Sequence, residues 1–505
     1  MTQNTSSTNA DSHLKPPYVL ALDVGTSSTR ALLFDANGTT VPDLIVQRTY
    51  ELTTANNGEV SVDANTLLDV VAETIDDLLK QAGAEAQKIK AVALDTFWHS
   101  LLGVDNTNQP LMPLITWEDT RPFQAANELR KELDESAIHK RTGARFHASY
   151  WPAKLRYLAQ EQGEIFQKTA QWISFGEYIH RHFLGNSICS LSMASGTGLL
   201  LTKECSWDTE LLHYLQVRPE QMPQLGDLSD SIHGLSKDYA ARWPVLQDVP
   251  WFPAIGDGAA ACIGSGCATP ENWSLTVGTS SALRVVGKFA DATPPPGLWL
   301  YRIDANRGVL GGALSEGGNL LAWLDTVLKL PALKDAESLI EQVAPDGHGL
   351  TILPFISGER SLGWHADARM TIAGLSIHSA PADLLRAGFE ALAYQLAAVY
   401  EQLLKTLNMY EKPPRLVCSG GALLSSEILQ QIIADTLGNA LYPSIAHEAS
   451  ARGAALLALE AMHIISDVAH QPPELKSPIE SNPVQHVIYQ KGYQRQRDLY
   501  QCLLG

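Results

Sequence analysis

The sequence predicts an α/β chain of two related lobes around a central cleft, and three observations carry that expectation. The segment Val24-Gly25-Thr26-Ser27-Ser28 recurs as Val277-Gly278-Thr279-Ser280-Ser281, 253 residues later in a chain of 505. Each copy sits in the same setting, with a β-rich run before it (18–24 and 274–277) and an apolar run after it (30–34 and 282–286). A single hydrophobic core stops growing well below this length, so a bilobal body is expected. Gly-Thr-Ser is a good turn anywhere, and strand, short turn, strand is an ordinary hairpin pattern. A five-residue match half a chain apart in matching contexts marks an internal repeat.

The other elements follow in chain order. Residues 1–16 have no apolar core, so they read as a floppy tail and not as a signal peptide. One lobe is expected over 17–262 and the second over 263–505. Residues 63–83 form an amphipathic helix with Leu67, Leu68, Val71, Ile75, Leu78 and Leu79 on one face. Residues 89–95 (IKAVALD) read as a strand, and 415–418 as another that runs into Ser419-Gly420-Gly421-Ala422. Ser425 or Ser426 then caps a helix whose apolar face is Ile428, Leu429, Ile432 and Ile433 and which ends at Gly438. Residues 452–461 are a compact Ala-rich helix, 294–297 and 471–483 are loops, and 489–504 form a terminal helix.

Composition excludes several classes. The chain is 45% hydrophobic and 18% charged, a globular profile. Lys+Arg 37 against Asp+Glu 55 gives −18, which argues against nucleic acid or an anionic membrane as partner. No uncharged apolar run has the length of a membrane span. The six cysteines are scattered without a CxxC pair and read as reduced thiols of a cytoplasmic protein. Walker P-loop, HExxH, zinc-spaced and GxSxG patterns are missing, and Gly264-Ser265-Gly266 fails the dinucleotide fingerprint.

A Gly-Thr-Ser hairpin tip offers close backbone approach, amide N–H groups and hydroxyls, which suits an anion. Two such tips, Gly25-Thr26-Ser27 and Gly278-Thr279-Ser280, could hold a polyphosphate from both sides of a cleft. Asp23, directly before the first tip, could hold Mg²⁺ against those phosphates, or it caps the turn. The Gly421-Ala422 turn with Ser425 is αβ punctuation, or bare backbone on which an adenosine lies.

With these residues in place, the chain resembles the actin/hexokinase/Hsp70 ATPase fold, and more specifically the FGGY carbohydrate kinases, from about Tyr18 to the terminal helix. The resemblance implies two ribonuclease-H-like/actin-like lobes, ATP and Mg²⁺ as cofactors, and a small-molecule sugar or sugar acid as partner. A homodimer is common in that family. Thr96-Phe97-Trp98-His99-Ser100 resembles the sugar-side loop, Trp117-Glu118-Asp119-Thr120-Arg121 the Trp-x-Asp-x-Arg stretch, and Gly256-Asp257-Gly258 the motif of the catalytic base. Gly317-Gly318-Asn319 with Trp323 resembles a nucleotide-side helix start. On this reading Trp98, His99, Trp117 and Asp119 contact the sugar and Gly318 the nucleotide. Asp257 takes the hydroxyl proton. On residue type alone Trp98 is a core residue, His99 a structural one, and Asp257 a helix N-cap before Ala259-Ala260-Ala261. Departures from the family signatures fall at 152–157, Met370 and Gly388.

Within the family, Ser190–Ser195, Trp207-Asp208 and 353–360 look most like gluconokinases, with xylulokinases and related ketose kinases as the alternative. A gluconate carboxylate wants a cation, and His99, Arg121, Lys154 and Arg360 are the candidates. A nucleotide-switched assembly protein of the actin or chaperone type would need neither Asp257 nor the Trp98-His99 pocket.

Overall fold

The computed structural model describes residues 14–289, 291–328 and 333–505. In the first half β1 (Tyr18–Val24), β2 (Ser28–Phe34) and β3 (Thr40–Thr49) lead through α1 (Ala64–Ala82) to β4 (Ile89–Thr96). Helices α2 (Trp151–Glu161) and α3 (Leu191–Gly196) precede the short strand β5 (Ile255–Gly256), which runs straight into α4 (Asp257–Gly264). The second half begins with β6 (Asn272–Val277), β7 (Ser281–Gly287), β8 (Trp299–Arg302) and β9 (Gly308–Leu314), then α5 (Gly318–Leu328) and α6 (Pro381–Leu407). It continues with β10 (Arg415–Ser419), α7 (Gly421–Leu424), α8 (Glu427–Leu437), β11 (Leu441–Pro443), α9 (Ala449–Ala461) and α10 (Pro483–Leu504).

The repeat is a repeat of topology. One sheet has the order β5-β4-β1-β2-β3 and the other β8-β9-β7-β6-β10-β11. In each, an antiparallel hairpin (β1/β2, β6/β7) carries the Gly-Thr-Ser tip, and the hairpin's first strand pairs in parallel with a later one (β4, β10). The registers agree as well: Asp23 pairs with Asp95, and Thr276, 253 residues after Asp23, pairs with Ser419. The second pair is joined hydroxyl to hydroxyl, Thr276 Oγ1 to Ser419 Oγ at 3.0 Å.

Local chemistry accounts for the helices. Asp63 caps α1 by accepting the Thr66 N–H at 2.7 Å, and Gly83 ends it at φ 53°. Leu67, Leu68, Val71, Ile75 and Leu78 are buried against β2 and β3. Ser426 caps α8, accepting the Leu429 N–H at 3.2 Å, while Ser425 closes α7. The terminal helix starts at Pro483, six residues before the expected 489, because Asn482 caps it and proline suits the first turn. The expected tail of 1–16 falls outside the described residues up to 13. Leu14 already packs on the core, and Lys15 is tied by its N–H to Asp35 (3.1 Å) and by its carbonyl to Ala36 N (2.8 Å).

Helix α9 lies far along the second half of the chain, yet it packs against β1, β2 and β4 and joins the first lobe's core. There it crosses α4, its counterpart in the repeat. A Cβ on Gly264 would lie 1.8 Å from the Ala449 carbonyl oxygen, and a Cβ on Gly453 would lie 1.8 Å from the Ala260 oxygen. Only glycine permits backbones this close, and the Ala-rich sequence of α9 keeps the rest of the contact thin. Gly453→Ala is therefore expected to destabilise the protein by about 1–3 kcal/mol, read as a lower urea midpoint. Gly163→Ala, at a site with nothing within 4 Å, is the control and should leave the midpoint unchanged or slightly raised.

Candidate active site

The parallel pairing β5-β4-β1 sets three carboxyls at the C-terminal ends of adjacent strands. Asp23 on β1 is in register with Asp95 on β4, which is in register with Ile255 on β5, two residues before Asp257. Strand ends at such a position are where open α/β sheets put their ligands. Asp257 is the first residue of α4; the N-cap is Gly256, so Asp257 is not the cap that residue type suggests. Its Oδ1 accepts the Gly258 N–H at 2.7 Å. Part of the residue stays open to solvent, but protein atoms crowd the carboxyl, and this desolvation pushes its pKa up to about 6. The Gly258 N–H, Arg284 and the Trp98 N–H pull the other way, and Asp23 adds to the rise.

Motif spacing does not single out Asp95. It is fully buried, and neither carboxylate oxygen meets a hydrogen-bond donor. Burial first, then the neighbouring Asp23 and Asp257, push it well above the usual carboxylate range. A signal exists in the sequence all the same: Ala21-Leu22-Asp23 and Ala93-Leu94-Asp95 are the same tripeptide at the ends of paired strands. Arg30, which follows the first tip, is held by Asp23 (3.1 Å) and Glu448 (3.3 Å).

The Trp98 ring packs beside Asp257, against Gly256 and Gly258. Its indole N–H donates to the Ser192 carbonyl (3.1 Å), and the ring fills the space left by three glycines. A Cβ on Gly256, Gly196 or Gly258 would come within 1.9, 2.5 or 2.7 Å of it. His99 adopts φ 70°, a strained conformation for a side chain of its size, and is buried. Its Nδ1 bonds the Gly196 carbonyl, and burial drives its pKa well below the usual histidine range. The ring is therefore neutral, with Nδ1–H donating and Nε2 free to accept. Tyr150 and Tyr301 stand edge-on to it at 4.9 and 5.8 Å. Lys154 on α2 donates to the His99 carbonyl (2.6 Å) and the Thr116 carbonyl (2.8 Å), tying the segments that carry them together; burial lowers its pKa to about 7.

Trp117 lies under the Arg360 guanidinium at 5.6 Å. Asp119 is a different matter from the expected sugar contact. Its side chain is fully buried and accepts the Val60 N–H (3.1 Å) and the Arg121 guanidinium (2.6 Å at the nearest), while Arg121 also meets Glu59 at 3.3 Å. Asp119 and Arg121 brace the loop that carries Trp117.

Of the expected nucleotide residues, those of the second lobe converge, while Gly25, Thr26 and Ser27 form the tip on the first. The first tip closes through Gly25 N–H to Ser28 O (3.0 Å), and the second through Gly278 N–H to Ser280 O (2.9 Å), so Thr26, Ser27, Thr279 and Ser280 sit at hairpin ends. The start of α5 docks on the second tip: Gly318 N–H donates to Gly278 O (2.7 Å) and Asn319 N–H to Thr279 O (3.1 Å). Gly318 thus positions the tip, its amide being engaged by protein. A Cβ on it would lie 3.0 Å from Ala422 Cβ, and one on Gly420 2.3 Å from Val277 O, which brings the Gly421-Ala422 turn against the second hairpin. Nothing lies within 4 Å of a Cβ on Gly421 or Gly278, so both face open space.

Two hairpin tips, a row of strand-end carboxyls and a glycine turn on duplicated sheets define a ribonuclease-H-like/actin-like ATPase fold. Residues 18–264 match the N-terminal domain of the FGGY family of carbohydrate kinases and residues 273–462 its C-terminal domain, so the chain belongs to that family and is a sugar phosphotransferase. It is 26% identical over 455 residues to a gluconokinase of Bacillus subtilis (strain 168), covering 88% of this chain and 87% of that protein. The crystal structure of gluconate kinase from Lactobacillus acidophilus superposes at a TM-score of 0.88 with 26% identity, covering 97% and 98% of the two chains. Ligand-bound xylulose kinase from Lactobacillus acidophilus gives the same TM-score and identity over 96% and 98%. Kinases of this family use ATP, generally with Mg²⁺. The donor set fits that pair, since Asp23 and the unpartnered oxygens of Asp95 are hard oxygen ligands beside the first tip. Among the described residues no helix is long and apolar enough to cross a membrane.

If Asp257 takes the acceptor proton, only its ionised form works. The logarithm of kcat/KM is expected to rise with unit slope as pH increases to about 6 and then level off. Initial rates from pH 4.5 to 8 at saturating nucleotide check this; a profile flat across pH 6 would contradict the assignment.

Proposed function

We propose that the protein transfers the γ-phosphoryl group of Mg-ATP to a hydroxyl of a small sugar or sugar acid, with D-gluconate, giving 6-phosphogluconate, as the foremost acceptor. The observation that carries this reading is the carboxyl of Asp257. It stands at the start of α4, where the Trp98 ring packs against Gly256 and Gly258 on either side of it, with its pKa raised to about 6.

In this mechanism Asp257 accepts the proton of the attacking hydroxyl. His99 Nε2 accepts a hydrogen bond from a second hydroxyl and so orients the sugar. Trp98 packs on the C–H face of the sugar, and Trp117 lines the pocket's edge. Asp119 acts through Arg121, and Lys154 through the His99 and Thr116 carbonyls, as positioning residues. The two tips at 25–27 and 278–280 hold the phosphates, Asp23 with Asp95 holds the metal side, and Gly421, Ala422 and Ser425 border the adenosine. Mg²⁺, when bound, offsets the charge on the phosphates during transfer. Water inside the site would compete with the sugar, so the lobes are expected to close over bound substrates.

The gluconate reading is supported by the likeness to the gluconokinases of Bacillus subtilis and Lactobacillus acidophilus, and the xylulose reading by the equal structural likeness to a xylulose kinase. ADP release over a panel of gluconate, xylulose, ribulose, glycerol and water separates them. Gluconate should give the highest kcat/KM. Turnover with none of the acceptors above the water rate would overturn the proposal. Asp257→Ala should lower transfer at least 1,000-fold, about 4 kcal/mol of barrier, while nucleotide still binds.

A further inference from the structure

Of the four cationic candidates for a substrate carboxylate, three are committed within the protein. Arg121 is held by Asp119 and Glu59, Lys154 by two carbonyls, and His99 is neutral. Arg284, on β7, is not one of the four. Its guanidinium lies against the backbone beside Asp257: a Cβ on Gly258 would be 3.4 Å from both Nε and Nη2. Its Nε is buried without a hydrogen-bond partner, and among the described residues no carboxylate comes within ion-pair distance of it. Asp257 lies within its electrostatic reach, and Arg284 lowers the pKa of that carboxyl.

A half-buried guanidinium with an unsatisfied donor costs free energy unless an anion completes it. The transferring phosphoryl is one source of that anion, but the geometry favours another. Arg284 is four residues beyond Ser280, so its Cα lies about 13 Å along the strand from the phosphate-binding tip. Tyr301, across the pocket, lies within the electrostatic reach of both Arg284 and Arg360. The Arg360 Nε is likewise buried without an acceptor while its guanidinium covers Trp117. The acceptor pocket therefore carries two uncommitted guanidiniums around an aromatic wall, which suits an acceptor that is itself an anion.

We propose that Arg284 binds the carboxylate of a sugar-acid substrate and thereby selects aldonates over neutral sugars and polyols. This rests on the kinase reading of the same site. Losing one charge-assisted hydrogen bond of this kind changes affinity roughly 10- to 100-fold. The test uses the whole chain as wild type, Arg284→Gln and Arg284→Lys, with gluconate and its neutral analogue glucitol as acceptors. Gluconate binding is also measured by calorimetry without nucleotide. The expected result is a 10- to 100-fold fall in the gluconate-to-glucitol ratio of kcat/KM in Arg284→Gln, carried by KM for gluconate. Calorimetric affinity should be lost in parallel, and Arg284→Lys should restore part of both. Retained nucleotide affinity shows that the variants are folded. An equal fall of kcat with both acceptors would assign Arg284 to Asp257 or to the phosphoryl group and overturn the proposal, as would an unchanged ratio. A wild type that prefers neutral acceptors overturns the proposal and leaves the kinase reading standing; a wild type that phosphorylates no acceptor overturns both.

Discussion

Two helices can run with their backbones in contact only where side chains are missing, and the crossing of α4 with α9 is such a place. Gly264 and Gly453 each let the other helix's carbonyl approach to where a Cβ would stand. The rest of the molecule is organised around this contact. Helix α9 comes from the second half of the chain yet completes the core over β1, β2 and β4. Helix α4 begins with Asp257, and α9 begins just after Glu448, which meets Arg30 and through it Asp23. The crossing that joins the lobes therefore also fixes the candidate base and braces the carboxylate beside the first tip.

The second constraint is electrostatic. A chain of net charge −18 in a family of ATP-using kinases faces an anionic nucleotide and, under the proposal for Arg284, an anionic acceptor, so its overall field opposes both. The opposition is met locally. Backbone amides and hydroxyls sit at the hairpin ends, and burial beside Asp23 disfavours a second full negative charge on Asp95. Arg284 and Arg360 bring positive charge beside Asp257 and Trp117 respectively. Burial does most of this tuning: it raises Asp257 and Asp95 and keeps His99 neutral.

Much of this is legible in the sequence because it depends on local chemistry. The duplicated Gly-Thr-Ser tip, the Asp63 cap with its Leu/Val/Ile face, and the Ser426 cap after a Gly-Gly turn are short-range patterns, and each stands where the sequence puts it. What is not legible depends on the tertiary register. Asp95 matters only because β4 pairs with β1 one carboxyl against another, and Arg284 only because β7 turns that face towards Gly258. Asp119 misleads for the converse reason. Its spacing to Trp117 is as expected, but Arg121, two residues on, folds back and takes its carboxylate. Gly318 stands at a helix start as expected, but its amide, expected on the nucleotide, is engaged by the second tip.

The central claim is that Asp257 serves as a base in a single direct transfer, with none of the three clustered carboxyls taking the phosphoryl group itself. The stereochemistry at phosphorus tests this most directly. With ATP made chiral at the γ-position by oxygen isotopes, one in-line displacement by the sugar hydroxyl inverts the configuration in the phosphorylated product. Inversion is the result that direct transfer requires. Retention would mean two displacements through an aspartyl phosphate and would contradict it.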